Sequence, residues 1–231
     1  QFARLHYQSK VNDVNQFSQE VRLASNNEGA INWIVGMHYF QDTLDSFSAL
    51  NFNPFFSERV DSVADSESFA VLGNVTYEFN DRLTFNGGVR WTHEKRDFTQ
   101  TDTAYGPGAD IFDPTSAGSI FFFPGTAAGT FNDTYKELTW DVALSYALRE
   151  DLTIYGKIAR GFRGGNFNGL ATTPAPITSV SPEIITSFEG GVKGTLADGR
   201  VRFSGTGFYY DYDDNQFFQT SVGVAFLKIL L

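Results

Sequence analysis

His6, His38 and His93, together with the acidic run Asp211, Asp213 and Asp214, are side chains whose type could hold a metal ion. The histidines are far apart in sequence and sit near the ends of extended runs, where an interfacial or hydrogen-bonded ring is the commoner role. The aspartates fail the EF-hand pattern: its sixth position falls on Gln216 where glycine is required, and its twelfth on Val222 where glutamate is required. Gly205-Thr206-Gly207 lacks the third glycine of a dinucleotide loop and lies inside a strand run. The sequence has no nucleophile elbow, no phosphate loop ending in Gly-Lys-Ser/Thr, no paired-His motif and no cysteine. It reads as a non-enzyme with no cofactor, no metal site and no catalytic residue.

Two other sets of residues could do binding chemistry. Arg90, Asp141, Lys157, Glu189 and Lys193 alternate onto one polar side of their segments. On strands, one polar side of this kind could line a hydrated interior, and hydrated charges that only keep it wet fit as well. Phe121, Phe122 and Phe123, beside Ile120, form an apolar cluster on the longest loop, and Phe52, Phe55 and Phe56 form another. Arg163, Asn166 and Phe167 follow in a glycine-rich stretch. Exposed aromatics of this kind can grip a large ligand, or be buried as loops fold over one another. Arg160 has the parity of the apolar side, opposite Trp140, where its guanidinium could meet phosphate groups.

These residues sit on a repeated unit of two alternating runs, a very short turn, then a long polar segment. In the clearest copy Phe69, Val71, Gly73, Val75, Tyr77 and Phe79 alternate with Ser68, Ala70, Leu72, Asn74, Thr76 and Glu78, Asn80 to Arg82 turn, and Leu83, Phe85, Gly87, Val89 and Trp91 return. About ten strands are expected in all. Phe2 to Ser9 is the first, Asn12 to Asn15 a connection, and Gln16 to Ala24 pairs with Ile31 to Phe40. Gln41 to Ser66 and Lys95 to Thr134 are read as long loops. A third hairpin, Tyr135 to Arg160, turns at Arg149 to Asp151, which pairs Leu148 with Leu152, Tyr146 with Ile154 and Val142 with Ile158. A fourth, Thr186 to Tyr210, is expected to pair Gly194 with Val201 and Val192 with Phe203. Phe217 to Leu227 is a weaker last strand.

Composition agrees with strands: 231 residues include 22 Gly, 24 Phe and 10 Tyr. The longest apolar stretch, Val222 to Leu231, is broken by Lys228, so no membrane helix is expected. A net charge of −10 argues against nucleic acid as a partner, because neutralising phosphates needs a basic face. Aromatics near the short turns (Tyr77, Phe85, Tyr146) and again near the long ends (Phe69, Trp91, Trp140) match the two girdles of a membrane barrel. The expected fold is therefore all-β, an antiparallel transmembrane β-barrel, present in part. A soluble β-domain would instead enclose the Phe69, Val71, Val75 and Trp91 face in a dry core.

Gln16 to Ser25 with Trp33-Ile34-Val35-Gly36, then Gly87 to Thr92, Tyr155 to Asn168, Pro182-Glu183 through Phe188 to Lys193, and Phe208 to Tyr212, resemble in order the barrel of TonB-dependent outer-membrane receptors. The resemblance implies a barrel of about 22 strands around a plug domain. It also implies a Gram-negative outer membrane and active uptake of an iron-siderophore complex or similar scarce nutrient. The implied partners are outer-membrane lipid and lipopolysaccharide, the nutrient, and the TonB complex, reached through the plug. Residues 1–231 are too few for that wall, carry no recognisable plug, open on Gln1-Phe2-Ala3-Arg4 without a leader and close without a terminal aromatic. A partial, middle-to-late barrel domain is the expectation. A passive porin and, more remotely, an outer-membrane enzyme are the alternatives.

Overall fold

The computed structural model describes residues 4–26, 28–53, 56–105, 126–167, 179–197, 199–216, 219–222 and 227–230. Among the described residues all of the regular structure is strand. β1 (Arg4–Ala24), β2 (Ile31–Asn53), β3 (Phe56–Glu78), β4 (Leu83–Tyr105), β5 (Thr126–Arg149), β6 (Leu152–Arg163), β9 (Glu183–Leu196) and β10 (Val201–Asp213) form one sheet in chain order, every neighbouring pair antiparallel. β7 (Asn166–Phe167) pairs with β8 (Ser179–Val180), and β11 (Gln219–Val222) with β12 (Leu227–Leu230). Among the described residues β1 and β10 have a sheet neighbour on one side only. This is up-and-down topology, in which each strand pairs with the one before and the one after.

Period two assigns the faces. On one face Tyr39, Phe69, His93 and Lys136 form a row across β2 to β5, and Met37, Val71, Trp91 and Leu138 form the next. Below them come Val35, Gly73, Val89, Trp140 and Arg160, then Trp33, Val75, Gly87, Val142, Ile158 and Phe188. This apolar face is open to the surroundings: Val71 is 44% exposed, Val89 50% and Leu144 48%. It encloses no dry core, contrary to a soluble β-domain. From Leu138 to Tyr146 the strand advances about 27 Å, or about 21 Å vertically at a tilt near 40°, close to the apolar belt of a membrane barrel. Above that belt the same face turns polar, with Glu67 opposite Lys95 and Asp65 opposite Asp97.

The short turns are set by local chemistry. The Asn80 side chain accepts hydrogen bonds from the Arg82 and Leu83 amides at 2.9 and 3.0 Å, and Phe79 N donates to Leu83 O at 2.9 Å. Between β9 and β10, Ala197 and Gly199 take positive φ of 54° and 84°.

Several expectations need correcting. The first two runs are one strand, β1, in which Asn12 is absorbed as a bulge between Val11 and Asp13 and donates to Asp45 at 3.1 Å. Most of Gln41 to Ser66 is ladder, paired out to Phe52 opposite Phe56, and β4 and β5 likewise run far into the segment read as a loop. Above the belt the regular apolar alternation ends, polar and charged residues sharing the sheet with the buried Phe47, Ala49, Val60, Phe98 and Tyr105, and backbone pairing continues past it. In the third hairpin Tyr146–Ile154 and Val142–Ile158 pair as expected, but a shift after Ala147 places Arg149, not Leu148, opposite Leu152. The fourth is displaced by two residues: Phe203 faces Gly194 and Gly205 faces Val192, because the turn spans Ala197 to Arg200. A two-residue slip preserves the faces. The last run is two short strands, not one.

Candidate functional site

The opposite face of the sheet is polar, and all five charged residues singled out from sequence lie on it. Lys157 on β6 stands directly across from Glu189 on β9, with its ammonium 3.8 Å from the Asp141 carboxylate on β5. Tyr155 donates to Glu189 at 2.6 Å and lies 3.0 Å from the Thr206 hydroxyl, and Lys193 sits 5.0 Å from the Tyr155 ring centroid. Four of the five thus form two neighbouring groups, Asp141 with Lys157 and Glu189 with Lys193 through Tyr155, adjoining where Lys157 and Glu189 share a rung. Arg90 belongs to a separate group. Its Nε donates to Thr92 at 3.2 Å, and its Nη2 lies 3.5 Å from His38 Nδ1, whose other nitrogen is 3.3 Å from Ser18.

Arg90, Asp141 and Lys157 nevertheless line one concavity of about 640 Å³, with Asn74, Thr139 and Ser187. Gly88 makes its floor: a Cβ there would sit 2.6 Å from Asp141 Oδ1 and 3.0 Å from Asn74 Nδ2. The lone Lys157–Asp141 contact is long and half-exposed, so its worth is below about 1 kcal/mol. Such a surface holds water, ions or a polar partner domain loosely and by many contacts.

The upper end of this face is built by the glycine stretch after β6. Gly164 is buried against Arg96 and Glu94, and Gly165 lies against the Tyr135 hydroxyl and the Val180 carbonyl with no room for a Cβ. The chain therefore bends inward, and Phe167 stacks on Phe98 of β4 at 5.6 Å with 17° between the rings. Gln216 fastens the bend: its side chain donates to Ser181 O at 2.8 Å and Gly164 O at 3.2 Å, and its amide donates to Glu183 at 2.7 Å. Burial, and then a hydrogen bond to Asp133 at 3.1 Å, push the Tyr135 phenol up to about 12. Among the sequence candidates Phe167 points into this cluster, Arg163 stands opposite Glu183, and Asn166 is exposed. Phe121, Phe122 and Phe123 lie outside the described residues.

Arg160 departs from its expected role. It keeps the parity of the apolar face, across from Trp140, but its guanidinium turns to β5, donating to Leu138 O at 2.6 Å and lying 3.6 Å from Glu137. A protein carbonyl and carboxylate occupy the charge that was expected to seek phosphate. The sequence reading missed Glu94, Arg96 and Tyr135, and it weighed His38 only as a metal ligand and not as a partner of Arg90. Arg96 falls in the segment taken for a loop, Glu94 and Tyr135 stand at the upper ends of the runs beside it, and the parity of all three would have placed them had the ladder been extended. Nothing in the sequence marks Gln216.

An ordered antiparallel wall, apolar and exposed on one face and polar on the other, is a piece of a transmembrane β-barrel. Comparison with known proteins gives the family: the profile of the TonB dependent receptor-like beta-barrel matches residues 2–227, and the chain belongs to that family. The pesticin receptor of Yersinia enterocolitica is 26% identical over 218 residues, covering 93% of this chain, and the pesticin receptor of Yersinia pestis is 25% identical over the same share. The chain spans 29% of the length of these relatives. Among solved structures, the ferric yersiniabactin uptake receptor FyuA of Yersinia pestis superimposes with a TM-score of 0.71 at 20% identity, over 92% of this chain and 30% of that one. The ferric-catecholate import receptor Fiu of E. coli gives 0.51 at 12% identity, over 89% and 37%. Both likenesses are of fold.

Proposed function

We propose that the chain is part of the barrel wall of a Gram-negative outer-membrane receptor that takes up an iron-siderophore complex by coupling to TonB. The observation that carries this reading is the two-faced wall itself, whose whole extent matches the receptor-barrel family. The apolar face is the lipid contact, and lipopolysaccharide meets the polar rows above it. The inner face, with Arg90, Asp141, Lys157, Glu189 and Lys193, is the surface for a plug domain supplied by the rest of the protein. The inward bend at Phe167, with Arg163 and Asn166, belongs to the mouth where a large ligand is gripped, and Phe121, Phe122 and Phe123 are further candidate ligand contacts by residue type. The names of the relatives, a ferric yersiniabactin uptake receptor and a ferric-catecholate import receptor among them, support iron-siderophore as the ligand class.

The test is binding and conductance measured on the same full-length protein. Saturable binding of a ferric siderophore, followed by tryptophan quenching, with no steady conductance in a planar bilayer, is the expected result. A steady open pore with no such binding would instead identify a passive channel.

A further inference from the structure

The ladder between β5 and β6 stops early. Its last rung is Trp140 opposite Arg160, yet β6 continues, paired with β9, to Arg163 opposite Glu183, and β5 continues above Trp140 to Thr126, paired with β4. The seam therefore opens at the upper edge of the apolar belt. Arg160 stands on that last rung. It donates to the β5 carbonyl of Leu138, beyond the rung, at 2.6 Å and faces the Glu137 carboxylate at 3.6 Å. A charge-assisted bond to a strand carbonyl satisfies a backbone group that a continued β6 would otherwise take up. Past Arg163 the chain crosses to the inner side, with Gly164 against Arg96 and Glu94, Gly165 against Tyr135, and Phe167 on Phe98.

We propose that Arg160 is a positioning residue of the binding mouth. By clamping Leu138 and Glu137 just beyond the last rung it stops β6 from zipping further up β5, and so keeps the Gly164–Phe167 segment folded onto the inner face. The clamp is a feature of the wall, and only its use in a ligand mouth rests on the receptor reading above. Were the ladder to continue in the same register, Asn166 would stand across from Thr134. Instead Phe167, its neighbour, is stacked on β4.

Cysteine pairs read out the two arrangements, and this chain has no cysteine of its own. In the full-length receptor in outer-membrane vesicles, Phe98→Cys with Phe167→Cys reports the inward bend, and Thr134→Cys with Asn166→Cys reports a zipped seam. A short bifunctional thiol reagent is expected to link the first pair in preference to the second. Arg160→Leu should shift the ratio toward the second by about tenfold, the worth of one charge-assisted hydrogen bond. Arg160→Lys, which can still reach Glu137, should recover part of the shift. An unchanged ratio in Arg160→Leu overturns the proposal. If that variant does not reach the membrane, Glu137→Gln replaces it: a smaller shift in the same direction supports the clamp, and no shift overturns it. The cross-links need no transported ligand, so their outcome is separate from that of the binding test.

Discussion

Placing a cation at the middle of the apolar belt is the sharpest perturbation of the two-faced wall. Val142 sits between Gly87 and Ile158 in the rows and is 41% exposed. It lies about four residues, or about 10 Å of depth, below the Leu138 row, near the centre of the belt. An arginine there has no protein partner within the face and must sit in hydrocarbon or snorkel. The cost at mid-depth is about 2–4 kcal/mol, roughly 30- to 1,000-fold in the folding constant. Ser145→Arg, three residues away but on the inner face opposite Thr84 and Tyr155, should cost little, and Thr130→Arg, on the outer face above the belt, should stay within about 0.5 kcal/mol. The assay is reversible urea unfolding of the full-length barrel in lipid vesicles, followed by tryptophan fluorescence and gel mobility. A Val142→Arg cost no larger than that of Ser145→Arg would refute the assignment of the faces.

Three further outcomes follow from the site. Gly165→Ala drives a methyl group into Tyr135 and the Val180 carbonyl, so it should loosen the bend by about 1–3 kcal/mol, seen as faster limited proteolysis between β6 and β9. Tyr135 should ionise later than an ordinary phenol: its folded-state value near 12 lies above the unfolded value near 10, so its stabilisation is complete below pH 10 and lost as pH rises toward 12. An ultraviolet alkaline titration that loses its latest step in Tyr135→Phe checks this. Lys157→Ala removes one long, half-exposed ion pair and should change unfolding stability by less than about 1 kcal/mol, measured by the same urea titration.

The membrane part of the fold was legible because lipid enforces strict alternation there. The Val71–Trp91 and Val142–Ile158 rungs, and the common face of Arg90, Asp141, Lys157, Glu189 and Lys193, follow from counting by two outward from Asn80–Arg82 and Arg149–Asp151. Where lipid ends, that constraint ends too. Asp42 to Phe52, Phe56 to Asp65 and Lys95 to Tyr105 pair through backbone bonds that carry no side-chain pattern, so they read as loops. The bulge at Asn12 and the two-residue slip at Ala197 to Arg200 depend on turn geometry that composition does not determine. Which charges touch was not legible at all: parity put Arg90 with the other four, and only the register shows that it bonds toward Thr92 and His38 instead. Parity likewise placed Arg160 outward and could not show its guanidinium turning onto Leu138 and Glu137.

The most direct test of the proposed role is energised uptake. A strain deleted for the complete gene, and the same strain carrying it on a plasmid, would be given radiolabelled iron on each of a panel of siderophores, with and without a functional TonB and with the inner-membrane proton gradient intact or collapsed. The account predicts that for at least one siderophore the cell-associated iron depends on the gene, on TonB and on the gradient together. Uptake that requires the gene but persists without TonB or the gradient, or uptake of every siderophore unchanged by the deletion, would contradict it.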